Sequence, residues 1–401
     1  MSNPIGPGPA SARQDEQTVE LAGPEIEARR HFLQDMVGLP AAALALNLLP
    51  TSANAQVKGG LATREAQARR SPGDLRFVFS LSSYDHMQAV TDGRIPIKRA
   101  DPLFIRLPIP EAFRRFLASR DWDVAEVGFS QYATLRASGD DNYVGIPVFT
   151  SRLFRHSAIF VRSDRIKRPD DLRGRRIGIV GWANSAGLWA RGMLRDMYNI
   201  QPHEITWYQG GVERPGRPEN VPAKFLDPRV RVVPVADRGI EEMLWSGDLD
   251  GIIVPSPPAS VEGSVTSGGL VRRLFDDARE EERRYFAKTR CLPAMHTIVM
   301  TRDLYERDRD IGRRIYEALE LARRRYFASL ADTAASVVPV PWVEEYIDSL
   351  HPLMGADVWP YGVEPNRPTI ETGLRYLHEQ GLIDRRLRAD DVYPEWEGVN
   401  V

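Results

Sequence analysis

Two histidines, His156 and His296, each adjoin a segment whose pattern is extended, and imidazole exchanges protons near neutral pH. Two arginines three positions apart, Arg152 and Arg155, present planar forks of donors that suit a carboxylate. Glu126 stands near the end of the apolar run Trp122-Asp123-Val124-Ala125-Glu126-Val127, where it either takes up a proton or caps the helix that follows. Together these groups suit acid/base chemistry on a small anion. Each also has a plainer role: a buried ring for the histidines, a hinge salt bridge or solvated edge for the arginines. His86, His203, His351 and His378 look like surface or packing residues. The single cysteine, Cys291, lies beside an apolar run in Arg290-Cys291-Leu292-Pro293 and is expected to be a buried structural thiol. No His, Asp and Glu grouping has metal-ligand spacing, so neither a metal nor an organic cofactor is expected.

Those side chains need elements to carry them. Leu75 to Leu81 alternates and then turns apolar, as an opening strand does, and stops at Ser82-Ser83-Tyr84-Asp85. Ligands bind at such carboxyl ends of strands in open α/β sheets, which makes Tyr84 a candidate contact. A helix over Pro110 to Arg120 and a strand over Trp122 to Val127 follow, and Ile146 to Arg162 reads as extended with the polar insert Ser151 to His156. A second α/β unit opens with the strand Ile177 to Val180, the turn Gly181-Trp182-Ala183-Asn184-Ser185-Ala186-Gly187 and a helix over Leu188 to Tyr198. Backbone N–H groups in that turn, with Ser185, either hold an anion or form an ordinary helix cap. Strands over Glu204 to Tyr208, Val230 to Val235 and Leu249 to Val254, the helix Ile240 to Ser246 and a late strand at Thr297 to Met300 complete the pattern. Strands are entered twice and one returns late, which predicts two α/β lobes joined by crossing segments, with a cleft between them. The boundaries are expected at 74–155 with 295–401 for the first lobe and 156–294 for the second.

The 401 residues, 42% of them hydrophobic, can bury one large core or two linked ones. With 53 basic against 55 acidic residues, the formal charge of -2 gives no field to draw nucleic acid, and none is expected as a partner. Residues 1–55 read as an address: Arg29-Arg30, a modest apolar stretch from Met36 to Leu49, and Ala53-Asn54-Ala55 predict a twin-arginine export signal cut after Ala55. A periplasmic location and contact with export machinery follow. Residues 56–73 are then a charged linker.

Several segments resemble the 4,5-dihydroxyphthalate decarboxylases. They are Gly145 to Phe149 running into Ser151 to Ser157, Trp189-Ala190-Arg191-Gly192, Gly210 to Arg217, Trp359-Pro360-Tyr361-Gly362-Val363 with Asn366-Arg367, and Glu379 to Leu382. The resemblance runs from about Leu75 to Tyr393 and implies a type II periplasmic-binding-protein-like fold with a ligand cleft between the lobes. It implies decarboxylation of a hydroxylated aromatic carboxylate without a cofactor. Such a reaction protonates the ring carbon bearing the carboxylate, draws electrons from an ortho or para hydroxyl, and releases carbon dioxide as aromaticity returns. It needs a proton donor, for which His156 and His296 compete; a clamp, for which Arg152 and Arg155 are candidates; and an acceptor for the phenolic proton, for which Glu126 stands. Glu213 and Arg217 sit in a loop suited to completing a closed site, or to being merely a rigid turn. Trp359 and Tyr361 either stack on a ring or pack a turn, and Arg367 joins the substrate contacts through its matching segment. Gly181-Trp182-Ala183 and Val127-Gly128-Phe129 depart from the family pattern where ligand contacts are expected. The alternative is a periplasmic solute-binding protein that delivers a carboxylate to a membrane transporter.

Overall fold

Phe77 and Phe79 point one way along Leu75–Ser80 and are buried, so this alternating run forms the strand β1. The computed structural model describes residues 74–216, 224–332, 334 and 337–396, all within one unit spanning Ser71–Val401. The export signal and linker expected over 1–73 lie outside the described residues, as does Arg217. After β1 come β2 (Ala100–Ile105), β3 (Val124–Gly128), β4 (Tyr143–Ile146), β5 (Ile159–Arg162) and β6 (Arg176–Ile179). Then follow β7 (Thr206–Gln209), β8 (Arg231–Pro234), β9 (Gly251–Ile253), β10 (Val271–Arg273) and β11 (His296–Thr301).

These strands form two sheets, ordered β2-β1-β3-β11-β4 and β10-β5-β9-β6-β7-β8. The two-lobed α/β architecture that the alternation of elements predicts is therefore present. β2 was not expected, because Asp101 and Pro102 break its apolar pattern; it tolerates the proline by standing at a sheet edge. The extended stretch expected over Ile146 to Arg162 is broken between β4 and β5, where His156–Ala158 forms a single 3₁₀ turn.

β11 runs antiparallel between β3 and β4, pairing His296 with Gly128 and Ile298 with Glu126. Side chains of one strand alternate between faces, so Glu126 and His296 share a face as diagonal neighbours. The chain leaves the first sheet after β4 and returns just before β11, and the two crossings pair with each other. Leu153 N–H donates to the Pro293 carbonyl at 3.1 Å, Met295 N–H to the Ser151 carbonyl at 2.8 Å, and Arg152 bridges Ala294.

The helix Arg367–Glu379 packs against the helix Ser185–Tyr198 and the helix Phe129–Ala137 through glycines that allow close approach. A Cβ on Gly192 would stand 2.2 Å from the Tyr376 ring, and one on Gly373 would stand 2.7 Å from that of Phe129. Gly192→Ala is therefore expected to cost about 1–3 kcal/mol, the scale of overpacking a filled core. A fall in urea midpoint with unchanged slope checks it; an unchanged midpoint would show that Tyr376 can move aside.

Candidate active site

Glu126 is 2% exposed in the middle of β3, yet its carboxylate is surrounded by donors. The Ser82 N–H donates to Oε2 at 3.0 Å, and the Tyr84 hydroxyl and Thr150 hydroxyl donate to Oε1 at 2.5 and 2.9 Å. His296 Nδ1 meets the same Oε1 at 2.7 Å and the Tyr84 hydroxyl at 3.3 Å. The segment after β1 brings Tyr84 to Glu126, and the antiparallel return of β11 brings His296 to both. Burial by itself would raise the Glu126 pKa, but hydrogen bonds from His296, its charge, Tyr84 and the Ser82 N–H outweigh it and hold the group down at about 2. Burial, then the Glu126 charge, pushes the Tyr84 phenol well above its ordinary value, so it stays protonated and serves as a donor.

This occupancy changes the part expected of Glu126. A buried, ionised carboxylate whose oxygens already accept four donors is poorly placed to take a proton from a ligand. It is well placed to orient an imidazole, since a carboxylate on Nδ1–H fixes the tautomer and leaves Nε2 for chemistry. The His296 side chain keeps 13% of its surface exposed, and the Phe113 ring stands edge-on to it at 4.9 Å.

The environment of His156 is different. Its ring is 1% exposed, packs against Phe275 and Tyr285 at 5.5 and 5.7 Å, and neither nitrogen has a hydrogen-bond partner among the described residues. Burial lowers its pKa to about 4, so the near-neutral titration expected of a proton donor is absent here. A histidine depressed in the fold contributes stability that is full above its unfolded value near 6.5 and fades as the pH falls towards 4. The span is worth about 3 kcal/mol. His156→Phe is expected to flatten that part of the stability profile, which thermal unfolding at pH 7.5 and pH 5 checks; equal acid losses in both proteins would disprove it.

Arg152 is 4% exposed, and its donors go to backbone: Nε and one terminal nitrogen to the Leu292 carbonyl at 3.3 and 3.0 Å, the other to the Pro360 carbonyl at 3.2 Å. Its guanidinium is held by carbonyls of the return crossing and of the Trp359-Pro360 segment. Arg155 has a different setting. Its Nε contacts Met295 Sδ at 3.2 Å, beside His296 in the chain, and no carboxylate reaches ion-pair distance among the described residues. Burial lowers its pKa to about 10, partly offset by the charge of Glu282, and the group stays cationic at neutral pH.

Among the other expected contacts, Trp359 reaches the cluster through His86. Its indole N–H donates to the Phe149 carbonyl at 3.1 Å, and its ring is 5.9 Å from His86, itself 5.4 Å from Tyr84. Tyr361 is buried against Tyr316 and Arg323 and belongs to the core. Ser185 shares a 2.8 Å hydrogen bond with Ser130, while Asn184 accepts from the Ala186 and Gly187 N–H groups, so the turn is capped by its own side chain. Glu213 is exposed in its loop, and Arg367 pairs with Glu364 and Asp390. The departures from the family pattern, Trp182 and Phe129, are at most 1% exposed and face the interior. Cys291 is buried, and burial raises its thiol pKa. Sequence reasoning missed Ser82, Thr150 and Phe113; the first two stand where apolar runs end in small hydroxyl residues, which was the available signal.

Fold and site together define a two-lobed α/β protein that carries a carboxylate-oriented histidine at the carboxyl ends of its first sheet. No family model matches the chain. Its relatives include 4,5-dihydroxyphthalate decarboxylase of Comamonas testosteroni, 31% identical over 320 residues, or 80% of this chain and 96% of that one. The enzyme of the same name from Pseudomonas putida is 34% identical over 187 residues, covering 46% of this chain and 72% of the relative. The chain belongs to the 4,5-dihydroxyphthalate decarboxylase family. Solved structures give looser likenesses at 14% identity. The periplasmic aliphatic sulphonate binding protein SsuA of Escherichia coli overlays with a TM-score of 0.46 over 82% of this chain and 98% of that one. The desulfurization enzyme DSZB overlays with a TM-score of 0.39 over 79% and 96%.

Proposed function

We propose that this chain decarboxylates a hydroxylated aromatic carboxylate, 4,5-dihydroxyphthalate or a close analogue, using His296 as the proton donor. One observation carries the mechanism: the 2.7 Å contact between His296 Nδ1 and a buried, ionised Glu126, in a member of this family. The imidazolium gives its Nε2 proton to the ring carbon that bears the carboxylate. The carbon–carbon bond then breaks, carbon dioxide leaves, and its electron pair restores the ring; the net change is one proton consumed per carbon dioxide released. Glu126 holds the ring's orientation, as a buried carboxylate does for a catalytic imidazole. Arg155, cationic and without a carboxylate partner among the described residues, clamps the substrate carboxylate.

The lobes are taken as 74–155 with 295–401 and 156–294, in keeping with the strands each sheet draws on. We also infer a twin-arginine export signal over residues 1–55, supported by Arg29-Arg30 and Ala53-Asn54-Ala55. No helix among the described residues is long and apolar enough to cross a membrane. Mass spectrometry of the protein recovered from a periplasmic fraction is expected to give Gln56 as the first residue; an uncut chain confined to the cytosol would contradict the signal.

A panel of benzoates and phthalates tests the reaction. Carbon dioxide is expected only from acids with a hydroxyl ortho or para to a carboxylate, because that hydroxyl supplies the electrons for ring protonation. Turnover of unsubstituted phthalate would rule out this route.

A further inference from the structure

We propose that Thr150 is a positioning residue for the Glu126–His296 pair, tying the segment that joins the lobes to the carboxylate oxygen on which the histidine rests. The inference rests on His296 being the proton donor. Thr150 is 0% exposed, and its hydroxyl donates to Glu126 Oε1 at 2.9 Å. That oxygen also meets the Tyr84 hydroxyl at 2.5 Å and His296 Nδ1 at 2.7 Å. A carboxylate oxygen has two lone pairs, so three donors around it set one another's place. Removing one lets the other two rearrange, and the imidazole direction shifts with them.

The chain around Thr150 makes this more than local packing. The next residue, Ser151, accepts the backbone N–H groups of Met295 at 2.8 Å and His296 at 3.3 Å. The preceding residue, Phe149, accepts the Trp359 indole N–H at 3.1 Å. His296 is thus held twice by adjacent residues of one crossing segment: its backbone by Ser151, and its ring through the carboxylate that Thr150 shares. Glu126 stays fixed in β3, a strand that pairs with β1 on one side and β11 on the other. Thr150 thus joins the crossing segment that holds the His296 backbone to the carboxylate on which its ring rests.

The test uses the full chain with Thr150→Val, Thr150→Ser, His296→Gln and the Thr150→Val/His296→Gln double variant, assayed with 4,5-dihydroxyphthalate. Thr150→Val is expected to lower kcat about tenfold, the scale of one hydrogen bond to a charged group, with KM changed less than about twofold. Thr150→Ser keeps the hydroxyl and should recover most of the loss. In the His296→Gln background, Thr150→Val should add nothing, because it acts through that histidine. Multiplying losses, or a failure of Ser to rescue, would overturn the proposal and leave Thr150 a core residue. A crippled His296→Gln beside a fully active Thr150→Val would sink this inference alone, whereas a fully active His296→Gln would sink the proton-donor assignment with it. A substrate-free arm reads the same geometry: in ¹⁵N-histidine NMR, the His296 Nδ1–H resonance should move in Thr150→Val and return in Thr150→Ser, and an unmoved resonance would also overturn the proposal.

Discussion

His296→Gln is expected to lower turnover of 4,5-dihydroxyphthalate by roughly 10²–10⁴-fold, the loss typical of removing a general acid. Glutamine can hydrogen-bond to Glu126 but delivers no proton, so substrate affinity should stay within a few-fold and the deficit should appear in kcat. The wild-type reaction should slow in deuterium oxide if ring protonation limits it. His156→Gln serves as the control, since that ring packs against Phe275 and Tyr285 with no hydrogen-bond partner among the described residues, and its change should leave kcat near wild type. The opposite pattern, with His156→Gln inactive and His296→Gln active, would show that the donor belongs to the second lobe.

Arg155→Leu should weaken binding of the same substrate by about 2–5 kcal/mol, roughly 30- to 5000-fold, as when one partner of a buried charge pair is removed. Lysine should restore only part of this, because a point charge cannot reproduce the planar fork. Arg152→Lys is the contrasting case: the guanidinium it replaces donates to the Leu292 and Pro360 carbonyls, so stability should suffer more than affinity. Calorimetric titration of both variants separates the two. Unchanged affinity in Arg155→Leu would mean that another cation holds the anion.

Much of this architecture was legible because β1, β6 and β11 are apolar runs closed by small or polar residues. β2 was not, because Pro102 and Asp101 disguise a strand whose place at the edge makes both harmless. The helix Ala259–Ser267 also escaped notice. Val261 is its one fully buried residue, so it shows no apolar stripe. At the site, Tyr84, Glu126 and His296 could each be singled out, but their meeting could not. Glu126 and His296 are 170 positions apart, and only the antiparallel insertion of β11 beside β3 puts them together. His156 and His296 look alike in the sequence, each beside an apolar run that forms a strand. What separates them is the residue across the gap: a carboxylate for one and aromatic rings for the other. Arg152 and Arg155 were equally alike until the crossing segments paired and turned one guanidinium into a bracket.

The most direct measurement of the central claim follows carbon dioxide and bound ligand in one sample, with purified full-length protein and excess 4,5-dihydroxyphthalate. Many equivalents of carbon dioxide per protein, with the ring product formed in equal amount, is the expected result. Saturable binding with no carbon dioxide released would contradict it and make this member of a decarboxylase family a carrier of aromatic acids.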